Sequence, residues 1–113
     1  MNLPQMNAHL SGDDREKVGS YAEELGLDAS GLLNLLIRRE LRLKRNLKGV
    51  ASISTNSGSA KVTAHRVPNN YQKAFRRHAK KAKLSVSAAC RGILLREVDA
   101  RELAHWVGMN DSA

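Results

Sequence analysis

Leu27-Asp28-Ala29-Ser30 and Leu36-Ile37-Arg38-Arg39-Glu40-Leu41 return 57 positions later as Leu84-Ser85-Val86-Ser87 and Ile93-Leu94-Leu95-Arg96-Glu97-Val98. A turn followed by a leucine-rich helix is therefore written twice. Repeats of this size mark half-folds that complete each other, because neither can bury its apolar face alone. With 113 residues the chain is long enough for one domain of ordinary size. Each half by itself is marginal.

Outward from the turns, each copy begins with a short alternating stretch. In Gln5-Met6-Asn7-Ala8-His9-Leu10, Met6, Ala8 and Leu10 share one face and Gln5, Asn7 and His9 the other, the pattern of a half-buried strand. Ser11 caps a helix whose first turn holds Asp13, Asp14 and Glu16, favoured there by the helix dipole. Val18, Tyr21, Ala22 and Leu25 recur at helical spacing, and Gly26 stops the helix. Asp28 caps the next helix, with Leu32, Leu33, Leu35, Leu36, Ile37 and Leu41 on most of its circumference.

From Asn46 to Ala60, glycine and serine dominate and read as a flexible linker. Val50 and Ile53 can pack locally, but the composition forces no structure. The second copy opens with Lys61-Val62-Thr63-Ala64-His65-Arg66-Val67, and Pro68 marks the strand-to-helix junction. Tyr71, Phe75, Ala79 and Ala82 mark one face of the third helix. Ser85 caps the last helix, which runs through Ile93, Leu94 and Val98 towards Leu103, Trp106 and Val107. The polar tail after Gly108 should fray. The chain thus divides into a first unit (1–46), a linker (47–60), a second unit (61–108) and a tail (109–113), one compact domain together.

Charge is unevenly placed. The formal net charge is +8, yet residues 1–37 hold two Lys/Arg against six Asp/Glu, while residues 38–96 hold sixteen against one. A basic block that long suits a polyanion, although a solvated helix face also carries such charge. It includes Arg38, Arg39, Arg42, Lys44, Arg45 and Lys48, then Lys73, Arg76, Arg77, Lys80, Lys81 and Lys83. Aromatic residues are 4% of the chain, so the core must come from Leu, Ile, Val and Ala. Lone Cys90 reads as a small core residue in a reducing compartment. No apolar run reaches the roughly 18 residues of a membrane span, and the N-terminus lacks signal-peptide character. His9, His65, His78 and His105 are scattered, no Cys/His spacing suggests zinc and no glycine-rich phosphate loop appears. Neither catalysis, a metal nor a cofactor is expected. Asp13-Asp14 and Glu23-Glu24 read as helix-start and solvated-face charges.

Strand, helix, turn and leucine-rich helix with a basic balance resemble the ribbon-helix-helix (MetJ/Arc-type) family of DNA-binding proteins. The residues that carry the resemblance are the strand Gln5–Leu10, the junctions Leu10-Ser11 and Val67-Pro68, and the turns Gly26-Leu27-Asp28-Ala29-Ser30 and Leu84-Ser85-Val86-Ser87. It covers about 85 residues in two copies. The family works as a homodimer whose strands pair into a ribbon. Two copies on one chain are similar to the TraY-type relaxosome accessory proteins of conjugative plasmids.

The resemblance implies a mainly α fold with a small two-stranded antiparallel ribbon, two tandem units forming an intramolecular pseudo-dimer. Physical reasoning agrees: a lone strand must find a partner for its backbone groups, and a linker of about fifteen residues spans roughly 20 Å. The implied function is sequence-specific binding of double-stranded DNA, with the ribbon in the major groove, in a bacterial cytoplasm, associated with nucleoid or plasmid. A conjugation accessory role, autoregulation, or both would follow. A relaxase or other DNA-processing protein is a further implied partner; a membrane is not. The alternatives are a transcriptional repressor, an antitoxin (for which the tail after Gly108 is short) and a protein-interaction module. Structured RNA is disfavoured because side chains cannot enter the deep A-form major groove.

Base readout falls to Gln5, Asn7 and His9 on strand one, since amides pair with adenine and imidazole with guanine acceptors. Strand two has two frames. If Val67-Pro68 fixes it, Val62, Ala64 and Arg66 face outward. If Ala64-His65 matches Ala8-His9, Lys61, Thr63 and His65 do, and an irregularity is needed before Val67. Thr63, His65 and Arg66 are the candidates there. Phosphate contacts fall to Ser30 and Ser87 at helix N-termini, and to Lys61, Arg76 and Lys80. Asp28 departs from the usual hydroxyl cap, which weakens the first grip. Because the halves differ, the expected DNA site is asymmetric.

Overall fold

The computed structural model describes residues 5–52 and 58–108. The chain runs through strand β1 (Met6–Leu10), helices α1 (Gly12–Glu24) and α2 (Ala29–Leu43), a short 3-10 helix (Leu47–Ser52), strand β2 (Ala60–Ala64), and helices α3 (Asn69–Lys81), α4 (Val86–Ala100) and α5 (Glu102–Trp106). It is mainly helical with one two-stranded antiparallel sheet. Both long helix pairs recur at the sequence spacing of 57, with α3 starting at 69 against 12 and α4 at 86 against 29.

β1 and β2 pair with Met6 opposite Ala64, Asn7 opposite Thr63, Ala8 opposite Val62, His9 opposite Lys61 and Leu10 opposite Ala60. Met6, Ala8, Leu10, Val62 and Ala64 are buried, so one face of the ribbon floors the core. The helices cover it crosswise: α4 packs on β1, α2 packs on β2, and α2 meets α4. Each half of the sequence thereby roofs the strand of the other. Leu32, Leu33, Leu36, Ile37, Phe75, Ile93 and Leu94 fill the space between.

Local chemistry sets the helix ends. The Asp14 amide donates to Ser11 Oγ at 3.2 Å, the Gly31 amide to Asp28 Oδ1 at 2.6 Å, and the Ala88 amide to Ser85 Oγ at 3.1 Å, so all three expected caps are in place. α1 ends on Gly26 at φ +77°, with the Leu27 and Gly26 amides donating to the Ala22 and Glu23 carbonyls. α3 ends the same way with Lys83 at φ +60°, where Leu84 and Lys83 donate to Ala79 and Lys80. Both ends are Schellman motifs, one on glycine and one on a residue that adopts this conformation at a cost. Lys44 and Arg101, both at φ +54°, end α2 and α4.

Three expectations change. Strand two ends at Ala64 rather than Val67, in the frame that turns Lys61, Thr63 and His65 outward. The irregularity this frame needs is Arg66, at φ +58°, which swings Val67 back into the core at 6% exposure. The first residues of the supposed linker are also structured. Leu47 and Val50, one 3-10 turn apart, are both buried. Gly92 on α4 makes room for them, since a Cβ there would lie 2.7 Å from Val50 Cβ. Ile53 and the linker residues through Ser57 lie outside the described residues, as does the tail after Gly108. Finally, the last helix breaks at Arg101, which leaves Trp106 79% and Val107 64% exposed while Ala104 takes the buried place.

Candidate nucleic-acid interface

The face of the ribbon away from the helices is polar. Asn7 and Thr63 sit opposite each other at its centre, with His9 opposite Lys61 beside them. The Thr63 hydroxyl donates to Asn7 Oδ1 at 2.7 Å. That bond holds the Asn7 side chain and leaves its NH2 group as the donor. Thr63 is only 9% exposed, so it forms the floor of the face and not its rim. Gln5 and His65 flank the ladder and are exposed. All six ribbon candidates therefore share one face, with amide donors and acceptors, imidazoles and an ammonium within five residues of each strand.

Arg66 is exposed at the bend that follows. The bend is tied down from α2: Asn34 Nδ2 donates to the His65 carbonyl at 2.6 Å, and Arg38 Nε donates to Asn34 Oδ1 at 2.8 Å. The Arg38 guanidinium lies 5.1 Å from the centre of the Tyr71 ring, joining α2 to the start of α3. Asn34 was not among the residues the sequence singled out. Its signal was a lone amide inside a leucine-rich helix.

Ser30 and Ser87 are the second residues of α2 and α4. Ser30 lies one turn before Asn34 on the same side of α2. The two helix starts differ chemically. Asp28 sets a carboxylate on the Gly31 amide, whereas neutral Ser85 caps α4. An incoming phosphate meets repulsion at the first and none from the cap at the second. Lys80 is exposed on α3, Arg76 is half-buried there, and Lys61 lies on the ribbon face itself.

Part of the basic block faces inward, against expectation. Arg39 Nη1 lies 2.7 Å from Glu97 Oε1, and Arg96 Nη2 lies 2.6 Å from Glu40 Oε2. Arg45 bridges Glu40 and Glu102, 3.0 Å from the latter. The side chains of Glu40 and Glu97 are fully buried. They fall on the inward stripes of α2 and α4, one turn beyond Ile37 and Leu94, and draw the guanidiniums in after them. Glu97 also accepts from the Tyr21 hydroxyl and, at 2.8 Å, from the Leu103 amide. Arg39, Arg45 and Arg96 thus hold the molecule together, and in the first part of the basic block Arg38, Arg42, Lys44 and Lys48 are the exposed cations.

Five groups titrate away from their ordinary values; two are Arg45 and Arg101, which hydrogen bonds to Glu40 and Glu24 raise further. Burial alone would raise the Glu40 carboxyl, but hydrogen bonds from Arg45 and Arg96 outweigh it and hold the group below the carboxylate range. Burial, then the hydrogen bond to Glu97, pushes Tyr21 up to about 12. Burial pushes the Cys90 thiol up to about 12, which makes it an inert core residue. Among the described residues no group of three His, Cys, Asp or Glu side chains is placed to hold a metal ion, and no helix is long and apolar enough to cross a membrane. No protein-family model, curated protein or solved structure matches the chain.

Proposed function

We propose that the chain binds double-stranded DNA in a sequence-specific manner, as two tandem ribbon-helix-helix units that form a pseudo-dimer within one polypeptide. The observation that carries this reading is the antiparallel pairing of β1 with β2, apolar on one face and set with Asn7, Thr63, His9 and Lys61 on the other. A two-stranded ribbon fits the major groove, where base edges carry a full donor and acceptor code. Support for the pseudo-dimer comes from the helix pairs spaced by 57 and from the crossed ion pairs Arg39–Glu97 and Arg96–Glu40. An approximate two-fold axis generates such reciprocal pairs.

Exposed Lys61, Lys73, Arg77, Lys80, Lys81 and Lys83 supply sequence-independent attraction for phosphate. The Ser87 end of α4 offers the better anion site of the two helix starts, so the grip is uneven and the target is not a perfect palindrome. From the resemblance to TraY-type proteins we carry over a relaxosome accessory role, autoregulation, or both; footprinting on DNA flanking the gene identifies the site.

The test is fluorescence anisotropy on a footprinted site and on random duplex, across a salt series. Affinity for random duplex should fall by about a thousandfold or more between roughly 50 and 200 mM salt. Asn7→Ala and His9→Ala should each cost about 1–3 kcal/mol of site discrimination while leaving non-specific affinity nearly intact. An unchanged site preference rejects the groove assignment, and a flat salt response points to a protein-interaction module instead.

A further inference from the structure

We infer that this chain associates with further copies of itself head to tail, the α1 side of one copy docking on the α3 side of the next. α1 and the end of α4 border one groove; α3 and the end of α2 border its counterpart. The grooves share positions at the spacing of 57, among them Ser20 with Arg77 and Glu24 with Lys81, although Leu47 and Lys48 line the second alone; the exposed faces of α1 and α3 that border them carry opposite charge. Glu16 stands where Lys73 does, Ser20 where Arg77 does, Glu23 where Lys80 does and Glu24 where Lys81 does. All eight are exposed, on helices of the same length. Three charge reversals on helices of the same length give two helix faces of opposite sign. Lys17 and the Glu24–Arg101 pair, 2.5 Å apart, temper the acidic side without reversing it.

Two such surfaces on one molecule cannot meet each other, but they can meet on neighbours. A contact between different patches closes into a ring if the rotation permits, and otherwise extends in a line. Like faces repel, so a head-to-head arrangement is disfavoured and the assembly has a direction. The contact needs no DNA and is measured without it, so its failure and that of the DNA-binding reading are separable.

Sedimentation velocity of the full chain at about 10 mM salt, where charge is felt over roughly 30 Å, reads the contact directly. The apparent mass should rise above the 12.4 kDa monomer with concentration and return to it in high salt. The variant Glu16→Lys/Glu23→Lys carries two basic sides, and the variant Lys73→Glu/Lys80→Glu two acidic sides; each alone should remain monomeric. Mixed in equal amounts they should associate again, and so should a chain carrying all four reversals. A wild-type chain that stays monomeric at its highest soluble concentration overturns the inference. So does a mixture that stays monomeric while wild type associates.

Discussion

Glu97 is the residue on which most depends. Its carboxylate accepts from Arg39, the Tyr21 hydroxyl and the Leu103 amide, joining α4 to α2, α1 and α5 at once. Glu97→Ala removes the carboxylate hydrogen-bonded to Arg39, leaving Glu102 and Glu40 at 3.5 and 3.7 Å, and should cost about 3 kcal/mol in urea unfolding, the low end for a broken buried pair. Exposed Glu23→Ala should stay within about 0.5 kcal/mol. Two neighbouring groups set the pH limits of stability. Glu40 titrates lower folded than unfolded, so its contribution is present above the unfolded value near 4.5 and is lost as pH falls through the lower folded one. Tyr21 titrates higher folded, so its neutral phenol contributes fully below about 10 and that contribution is lost as pH rises towards about 12. Urea midpoints should therefore fall on both limbs, with Glu40→Gln flattening the acid limb and Tyr21→Phe the alkaline one. The buried carboxylates were the least legible feature of the sequence, because glutamate is rarely buried. Their trace was the Arg-Glu dipeptide repeated at 39–40 and 96–97. The polar row of β1 was legible directly, since strict alternation has a single frame.

Among the elements, the 3-10 helix depends most on a neighbour. Gly92 sits mid-helix in α4, where a Cβ would meet Val50 Cβ and Cγ2 at 2.7 Å, atoms that cannot swing away. Gly92→Ala should destabilise by about 1–3 kcal/mol. Gly19 makes the opposite case: its nearest obstacle is the guanidinium end of Arg15, which can move, so Gly19→Ala in α1 should stabilise by about 0.5–1 kcal/mol. Thermal melts of the two variants check both signs. Helices α1 to α4 were readable because caps, stops and periodicity agree in both copies. The 3-10 helix was hidden by surrounding glycine and serine, although Leu47 and Val50 have its three-residue spacing. The frame of β2 stayed open because one solution required an irregularity before Val67, and the structure supplies it at Arg66. Trp106 and Val107 misled by residue type: the break at Arg101 redirects the chain, and Ala104 is the residue that packs.

For the molecule as a whole, charge and backbone geometry are linked. The four non-glycine residues with positive φ among the described residues are Lys44, Arg66, Lys83 and Arg101, every one a cation. Glycine would take these conformations with less strain, as Gly26 does at the position equivalent to Lys83. Lys44→Gly and Lys83→Gly should each relieve about 1 kcal/mol and raise the melting temperature. The same changes strip two positive charges from the surface, so they should lower affinity for random duplex and make its salt dependence shallower. On the proposed DNA-binding reading, heat tolerance and hold on a polyanion therefore pull in opposite directions at Lys44 and Lys83.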